Sequence, residues 1–466
     1  MDFLPIAKHK YIPRILGLGL FLQQLDSMIL NTSIPQMAVS LGSSALDLKL
    51  AITSYLLTLA MFIPISGYMA DKFGTKRTFF LALFIFLLGS LIYGLSFNIE
   101  VLIFGRLVQG MGAAFITPVG RLILLKAFSR ADFLPAFSVY VMIGQLGTIL
   151  GPVLGGVITT FIDWRWIFLV NIPVVLLALY FTKKKIPDYH DHSNAAPFDW
   201  LGFVLFGFAA GMVTFGLSWV TEENFTEMMP WYICGAGVVL SVIYYFYGRR
   251  VAHPSLDLSA FRIRTFWVTM AGGSLFRLSS NGLGFLIPLQ LQLVYGYSPL
   301  VAGLLLFPNA VAFMVARFFF KKLLVGLGFK KVLLLFPVFS AVSLLGLAFM
   351  SGGNLIVMMT VCMVLQGFTA SVHYAALNTL TFADIPAKDS SKATSLSTVV
   401  QQIALSLAVC LAAGLLLSIS DVSGHPVMTS SVFQLTYLLL SFLMAFSAVV
   451  FFKLLPTDGR LYLEAR

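Results

Sequence analysis

Long apolar runs, separated by short charged or turn-rich breaks, dominate the pattern of this chain. A membrane-spanning helix needs about 20 mostly apolar residues, and the runs reach that length. Because they do not alternate over ten-residue segments, they predict helices and not the strands of a barrel. The pattern predicts fourteen spans, at roughly 14–37, 48–70, 78–97, 101–125, 133–160, 165–182, 198–219, 230–248, 265–294, 299–320, 331–350, 354–380, 393–419 and 432–453.

The composition is that of an all-α polytopic membrane protein. Hydrophobic residues make up 59% of the chain and charged residues only 11%, whereas about a quarter of a soluble protein is charged. The net charge is +11, and the charged residues fall mainly between the spans. They therefore indicate topology and not nucleic-acid binding. An even number of spans puts both termini on one side of the membrane. Of the 30 Lys and Arg residues, 24 lie in the even-numbered connections and the two tails, and only Lys49 and Arg165, at the ends of spans, belong to odd-numbered connections. The positive-inside rule therefore predicts cytoplasmic termini.

Two similar loops predict an internal repeat. The segment GYMADKFGTKR joins spans two and three, and VGLGFKKV joins spans ten and eleven. Each loop places a glycine, Gly74 or Gly328, two residues before a pair of basic residues. Such repeats are typical of secondary transporters. We therefore predict an N-terminal six-helix bundle at 1–182, a cytoplasmic connector with two extra helices at 183–250, and a C-terminal six-helix bundle at 251–466.

Asp26 is the only carboxylate placed in the middle of a predicted span, although the chain has 19 Asp and Glu residues. An ionised carboxylate near the bilayer centre costs roughly 2.5–3.5 kcal/mol or more, so it usually faces water or a charged partner, or it stays protonated. Its proton affinity can then differ between inward-open and outward-open states, as proton coupling requires. The alternative is a neutral Asp26 that forms a structural hydrogen bond between helices.

A polar stripe on predicted span four begins at Arg106 and continues through Gln109, Thr117 and Arg121. A guanidinium cannot lose its proton to enter the membrane, so Arg106 needs an anion or water. Asp26 is the only carboxylate available within the spans. We predict that Arg106 favours the ionised form of Asp26 in one state; the alternative is a purely structural bridge between helices.

Further polar residues within the spans are candidates for a substrate cavity. Arg277 lies in mid-span among serines and Asn281, which indicates a contact with substrate or another anion. Arg121 could line a cavity or extend to the membrane surface. His373 could titrate near neutral pH, but a structural, hydrogen-bonded histidine is the alternative. The candidate cavity residues are Gln23, Asn31, Gln109, Arg121, Arg277, Asn281, His373 and Asn378.

Two segments are candidates for conformational roles. In span five, glycines at four-residue spacing favour close helix packing, and an interior proline bends the helix; these residues are Gly147, Gly151, Pro152, Gly155 and Gly156. In the first loop, an acidic residue at a helix end can cap a neighbouring helix in one state and release it in the other. The loop candidates are Gly67, Asp71, Gly74, Lys76 and Arg77, with Arg77 or Arg130 as the expected partner of Asp71.

These motifs resemble those of a known family. GYMADKFGTKR is similar to the signature loop of the major facilitator superfamily. Four further segments resemble helix motifs of its fourteen-helix drug:proton antiporter branch: LDSMILNTSIP, FGRLVQGMGAA, GQLGTILGPVLGG and WRWIFLVNIP. The resemblance implies the major facilitator fold with two extra central helices and a monomeric drug exporter of the bacterial inner membrane. It also implies that Asp26 and Arg106 couple export to the proton gradient without a cofactor.

The chain offers little sign of other chemistry. Cys234, Cys362 and Cys410 lack the spacing of a disulfide framework or a zinc site. His190 and His192 in the connector could bind a metal, but a solvated linker explains them without one. Enzyme motifs such as a nucleotide loop or a nucleophile elbow are missing from the sequence. The remaining alternatives are a uniporter or proton symporter that imports a small metabolite, and a membrane sensor that transports nothing.

Overall fold

The computed structural model describes residues 9, 11–128, 130–189, 198–220, 227–251, 254–350, 355–386 and 389–459. The secondary structure of these residues is helical, with no strand among them. Eleven helices in the described ranges are long and apolar enough to cross a membrane. The chain is therefore a multi-pass helical membrane protein, whereas fourteen spans with cytoplasmic termini stay a prediction.

The chain forms two compact units, of which the first comprises Met1–Gly211 and Val239–Ser255. Its long helices include those that carry Asp26 and Arg106. Two short helices follow the helices at predicted spans one and five. The helices that lie wholly in the first unit are α1 (Tyr11–Ile29), α2 (Ile34–Leu41), α3 (Lys49–Phe73), α4 (Thr75–Gly94), α5 (Ile99–Ala127), α6 (Arg130–Phe161), α7 (Trp166–Leu169) and α8 (Asn171–Lys185).

The second unit comprises Met212–Val238 and Leu256–Arg466. The division between the units passes through α9 (Trp200–Val220) and α10 (Met229–Gly248), so each of these two helices contributes to both. The predicted domain boundaries at 183 and 251 stay a prediction. The remaining helices are α11 (Arg264–Leu289), α12 (Pro299–Ala348), α13 (Leu355–Thr381), α14 (Ser390–Ser423) and α15 (Ser430–Val450).

Two glycine turns interrupt the helices at corresponding points. Gly74 separates α3 from α4 with φ 89° and ψ 146°. Gly328 breaks α12 with φ 77° and ψ 161°. This region of backbone conformation is essentially restricted to glycine. An unbroken helix of the 50 residues of α12 would be about 75 Å long, so the break at Gly328 divides it into two membrane-length helices, as the repeated loop predicts.

Glycines bring α6 against the backbone of α1. A Cβ atom on Gly147 would overlap the backbone of Phe21 and Leu25, and one on Gly151 would overlap Met28. Further along α6, Gly155 lies against Ile29 in the same way, while Pro152 and Gly156 are buried. The two helices run parallel, because successive glycines of α6 meet successive turns of α1. The glycines therefore hold α6 close to α1, the helix that carries Asp26, and their conformational role stays a prediction.

Close packing also joins α4 and α5, the helix that carries Arg106. A Cβ atom on Gly89 would overlap the backbone of Gln109, and one on Gly105 would overlap that of Tyr93. Backbones that approach this closely leave little room for rearrangement of the side chains between them. Arg106 and its neighbours therefore sit on a rigid pair of helices.

One apolar cluster of the second unit lies among α11, α12, α13 and the residues after α15. Val268, Leu333, Phe336, Leu377 and Phe451 belong to one buried apolar cluster. This cluster packs α11 against α13, with Leu377 one turn along α13 from His373.

Candidate functional site

Asp26 lies on α1 with no exposed surface. Its carboxylate accepts hydrogen bonds from Arg106 Nη1, from Gln109 Nε2 at 2.9 Å and from Asn171 Nδ2 at 3.3 Å. Three donors from α5 and α8 thus surround the two oxygen atoms. This arrangement suits the ionised carboxylate, which only accepts hydrogen bonds.

Arg106 is the cation of this site and is 1% exposed. Besides Asp26, its Nη1 also donates to Gln109 Oε1 at 2.6 Å. The guanidinium carbon lies 4.9 Å from the ring centre of Tyr55 and 4.7 Å from that of Tyr93. Aromatic faces attract a desolvated cation and favour Arg over other residues at such a position. The pair is therefore enclosed by aromatic rings and is withdrawn from water.

The polar network continues beyond the ion pair. Gln109 Nε2 also donates to Ser90 Oγ on α4 at 2.9 Å. About two turns further along α5, Thr117 donates to Gln23 Oε1 at 2.6 Å. The structure thus brings Asp26, Arg106 and Gln109 together as expected and places Gln23 beside the same stripe.

Three residues of the site, Asn171, Tyr55 and Tyr93, were not expected from the sequence. Asn171 offered a signal, because it is an amide inside the WRWIFLVNIP motif and begins α8. The two tyrosines lie in apolar runs with many other aromatic residues. Only the packing of α3 and α4 against α5 distinguishes them from side chains that face lipid.

Three of the cavity candidates lie apart from the ion pair. Arg121 is half-buried, with its guanidinium 5.5 Å from the ring centre of Phe137. Asn31 is half-buried in the single turn that follows α1, and Asn378 near the end of α13 is exposed. None of the described contacts joins these residues to Asp26, and their role in a cavity stays a prediction.

Arg277 is the buried arginine of the second unit and is 5% exposed. Its Nη2 donates to Gln401 Oε1 at 2.9 Å, and its guanidinium lies 5.0 Å from the ring centre of Tyr374. Asn281 donates to the hydroxyl of Tyr374 at 3.3 Å. Across the described ranges, no carboxylate forms an ion pair with Arg277. Its surroundings are polar but carry no compensating negative charge.

The structure corrects the interpretation of His373 as a hydrogen-bonded histidine. The side chain has no exposed surface, and neither ring nitrogen has a hydrogen-bond partner in the part of the chain that the structure describes. Its ring centre lies 4.2 Å from that of Phe276 and 5.5 Å from that of Phe451. The imidazole therefore packs within the aromatic part of the core.

The loop at Gly74 has different ion pairs from those expected. Asp71 pairs with Lys126 at 3.6 Å, whereas Arg77 lies 3.9 Å from Asp188. The expectation that Arg77 is the partner of Asp71 is therefore wrong in this conformation, because the connector supplies Arg77 with another carboxylate. The backbone N–H of Lys76 also donates to Asp188 Oδ1 at 3.1 Å, so the connector caps the start of α4.

Some sequence expectations concern residues that the structure does not describe. The side chain of Arg130 and residues His190 and His192 lie outside the described ranges. Gly67 is exposed, with open space around the position of a Cβ atom. Among the described residues, no three His, Cys, Asp or Glu side chains are grouped to hold a metal ion.

Comparison of the sequence with known families gives a clear assignment. The profile of the Major Facilitator Superfamily matches residues 16–409 and, in a second match, residues 269–462. This chain belongs to the major facilitator superfamily.

Curated relatives within the superfamily match almost the whole chain. "Putative multidrug resistance protein MdtD" of Escherichia coli O45:K1 (strain S88) is 34% identical over 449 residues, which cover 95% of this chain and 94% of the relative. The protein of the same name from Shigella flexneri serotype 5b (strain 8401) is 35% identical over 452 residues, with the same coverage. The chain is thus a major facilitator transporter similar to MdtD.

Solved structures agree on the fold. The peptide transporter POT in complex with sulfate has a TM-score of 0.70 at 15% identity and covers 97% of this chain and 95% of its own. A point mutant of the nucleoside transporter NupG has a TM-score of 0.65 at 13% identity and covers 95% of this chain and 99% of its own. At these identities the likeness shows the major facilitator fold and not a shared substrate.

In this fold, the Asp26–Arg106 pair can exist in two charge states. With Asp26 ionised, the two charges cancel, and its carboxylate accepts hydrogen bonds from Arg106 Nη1, Gln109 Nε2 and Asn171 Nδ2. With Asp26 protonated, Arg106 is left as an uncompensated buried cation, which is strongly unfavourable. Protonation therefore favours any rearrangement that brings water or another anion to Arg106.

Proposed function

We propose that this chain is a proton-coupled antiporter that exports lipophilic drugs or small toxic metabolites from the cytoplasm. In this proposal it acts as a monomer with fourteen spans, and both termini lie on the cytoplasmic side of a bacterial inner membrane. The observation that carries the proposal is the buried Asp26–Arg106 pair on α1 and α5. Of the described residues, Asp26 is the only carboxylate with no exposed surface.

The coupling follows from the cost of an unpaired buried charge. Asp26 takes up a proton in the outward-open state, and Arg106 keeps its own proton throughout. Loss of the ion pair destabilises the outward-open conformation by several kcal/mol. This loss favours the change to the inward-open state. There, water hydrates Arg106 and Asp26 releases its proton to the cytoplasm. A ligand shifts such an equilibrium only by its differential affinity for the two states, and the proton meets this requirement.

Export is favoured over import by two features. The relatives that match 95% of the chain carry a multidrug resistance name. The glycines of α6 that lie against α1 correspond to the motif that resembles antiporters. A sensor without transport activity would have no use for a proton site inside a transporter fold, so this alternative is disfavoured.

Substrate contacts are proposed for both units. In the first unit, Gln23, Arg121 and Asn31 lie on or directly after the helices that carry the proton site and its stripe. In the second unit, Arg277 has polar neighbours and, among the described residues, no carboxylate partner, so it suits an anionic group of a substrate or a mobile anion.

A growth experiment tests the proposal. Cells that lack their own drug exporters would produce the wild type, Asp26→Asn or no transporter, and their growth would be measured across a panel of toxic lipophilic compounds. We expect the wild type to protect against at least one compound and Asp26→Asn to match the empty cells. Protection should disappear when a protonophore collapses the proton gradient.

Two results would contradict the proposal. One is equal growth of wild-type and empty cells on every compound of the panel, with the transporter present in the membrane. The other is protection that survives the protonophore. Increased sensitivity of wild-type cells would instead indicate import.

A further inference from the structure

A groove on the first unit lies apart from the Asp26 site. It has a volume of about 860 Å³ and is formed by α1, α6 and α8. Its wall is mostly apolar, with Ile15 and Leu18 on α1 and Val139, Met142 and Ile143 on α6. Nothing in the transport cycle proposed above uses this groove.

The groove lies where the close glycine contacts between α1 and α6 end, towards the first residues of both helices. The glycines from Gly144 to Gly155 hold the two parallel helices in contact. At Gly17 a Cβ atom would press on Ile143, so this contact closes the inner end of the groove. Before it, α6 carries Pro135, Val139 and Met142 in place of the glycines, and these side chains line the groove.

Basic residues lie at the outer end of the groove. Arg14, in the first turn of α1, and Lys185, the last residue of α8, both line it and are exposed. The Lys185 ammonium lies 5.9 Å from the ring centre of Tyr11, the first residue of α1. The start of α1 and the end of α8 are therefore at the same level, where helices leave the membrane.

The distribution of charge and apolar surface matches an anionic phospholipid. From Pro135 to Ile143, α6 advances about 12 Å, which is most of one leaflet of a hydrocarbon core about 30 Å thick. An acyl chain can therefore follow the apolar wall while the headgroup meets Arg14 and Lys185. Basic pockets between membrane helices are suited to anionic headgroups.

We infer that this groove is a binding site for one anionic phospholipid, with Arg14 and Lys185 at its headgroup and the α1–α6 groove around an acyl chain. Each basic residue near an anionic lipid surface strengthens binding by about 1 kcal/mol, or roughly five-fold. The two residues together should favour phosphatidylglycerol over phosphatidylcholine by about 25-fold.

The test is native mass spectrometry of the purified full-length protein. The protein would be released from micelles that contain equal amounts of phosphatidylglycerol and phosphatidylcholine with the same acyl chains. We expect the wild type to retain one phosphatidylglycerol preferentially and the double variant Arg14→Gln/Lys185→Gln to lose that preference. Because both side chains are exposed, their replacement leaves the packing of the bundle unchanged.

Two further variants make the result specific. Val139→Trp keeps both charges but fills the groove, so it should also lose the retained lipid. Lys321→Gln/Lys322→Gln removes two exposed charges from α12, and this variant should keep the retained lipid. The inference is overturned if the wild type retains both lipids equally, if the Arg14/Lys185 variant or the Val139 variant behaves like the wild type, or if the α12 variant loses the lipid to the same extent.

Discussion

Each unit contains a buried arginine, but the charges around the two arginines differ. Arg106 in the first unit contacts Asp26, Gln109 and a set of aromatic rings, so its charge is cancelled within the protein. Arg277 in the second unit has Gln401 and Tyr374 as neighbours and, in the described ranges, no carboxylate. A proton can therefore switch the electrostatics of the first site. Among the described residues, the second site has no carboxylate beside Arg277 whose protonation could change the balance of charge there.

This difference exists although the units share their loop geometry. Gly74 and Gly328 adopt almost the same backbone conformation ahead of basic residues. The acid of the first loop, Asp71, is replaced by Val325 in the second. The two units thus share the glycine turn, whereas the acidic residues that can bind protons or form ion pairs differ between them.

The largest expected effect comes from removing Arg106. Arg106→Met leaves the Asp26 carboxylate buried without its cation and should lower the free energy of unfolding by about 3–5 kcal/mol. The double variant Asp26→Leu/Arg106→Met should recover most of this loss, because an apolar pair of similar volume is often as stable as a buried ion pair. Denaturant unfolding in detergent would measure both. A double variant less stable than the single would show that the ion pair itself stabilises the unit.

Removal of Arg277 should have a smaller effect of another kind. Arg277→Gln removes a charged hydrogen bond to a substrate anion, worth about 1.5–3 kcal/mol, so the apparent affinity for an exported anionic compound should fall about tenfold or more. The number of protons moved per substrate should not change, because Asp26 and Arg106 are intact. Transport assays in vesicles at several substrate concentrations would show this. An unchanged affinity for every anionic substrate would exclude Arg277 from the binding site.

The paired glycines should respond alike to substitution. Gly74→Ala and Gly328→Ala each force a side chain into a conformation that costs about 1–3 kcal/mol, so both should lower the melting temperature by similar amounts. Gly67→Ala is the matched control, since Gly67 has open space and lies within a helix. A large effect at only one of the two turns would contradict their structural equivalence.

The smallest expected effect concerns Asp71. Its pair with Lys126 is partly exposed, with 48% of the Asp71 side chain accessible, and such pairs contribute only about 0–1 kcal/mol. Asp71→Val, which copies the residue of the second loop, should therefore leave unfolding almost unchanged. A transport rate that falls while stability is kept would indicate the conformational role expected for this loop. Equal rates for both proteins would argue against that role.

Much of the fold was predictable because lipid imposes simple rules. Long apolar runs must be helices, and the break in α12 at Gly328 follows from a glycine and basic residues in a loop-like segment. The contact of Asp26 with Arg106 was predictable because a buried guanidinium needs an anion and the sequence offers one within the spans. In contrast, Tyr55 and Tyr93 are two aromatic residues among many, and only packing selects them.

Other features depend on contacts between residues that are far apart in the sequence, which no sequence pattern indicates. The Asp188 cap of α4 joins residues more than one hundred positions apart, and no local pattern indicates it. His373 is a polar residue beside serine and tyrosine in the sequence, yet its ring lies on the aromatic side of α13. The groove at Arg14 and Lys185 likewise arises from the separation of two helices, which the spacing of glycines on α6 alone does not locate.

We propose that Asp26 carries the exchanged proton. The most direct measurement uses proteoliposomes with an acidic interior and a pH-sensitive dye, to which a compound exported by the wild type is added. Wild-type protein should release protons from the vesicles on addition of the compound, and Asp26→Asn should release none while it still binds the compound. Proton release by Asp26→Asn at the wild-type rate would contradict the claim.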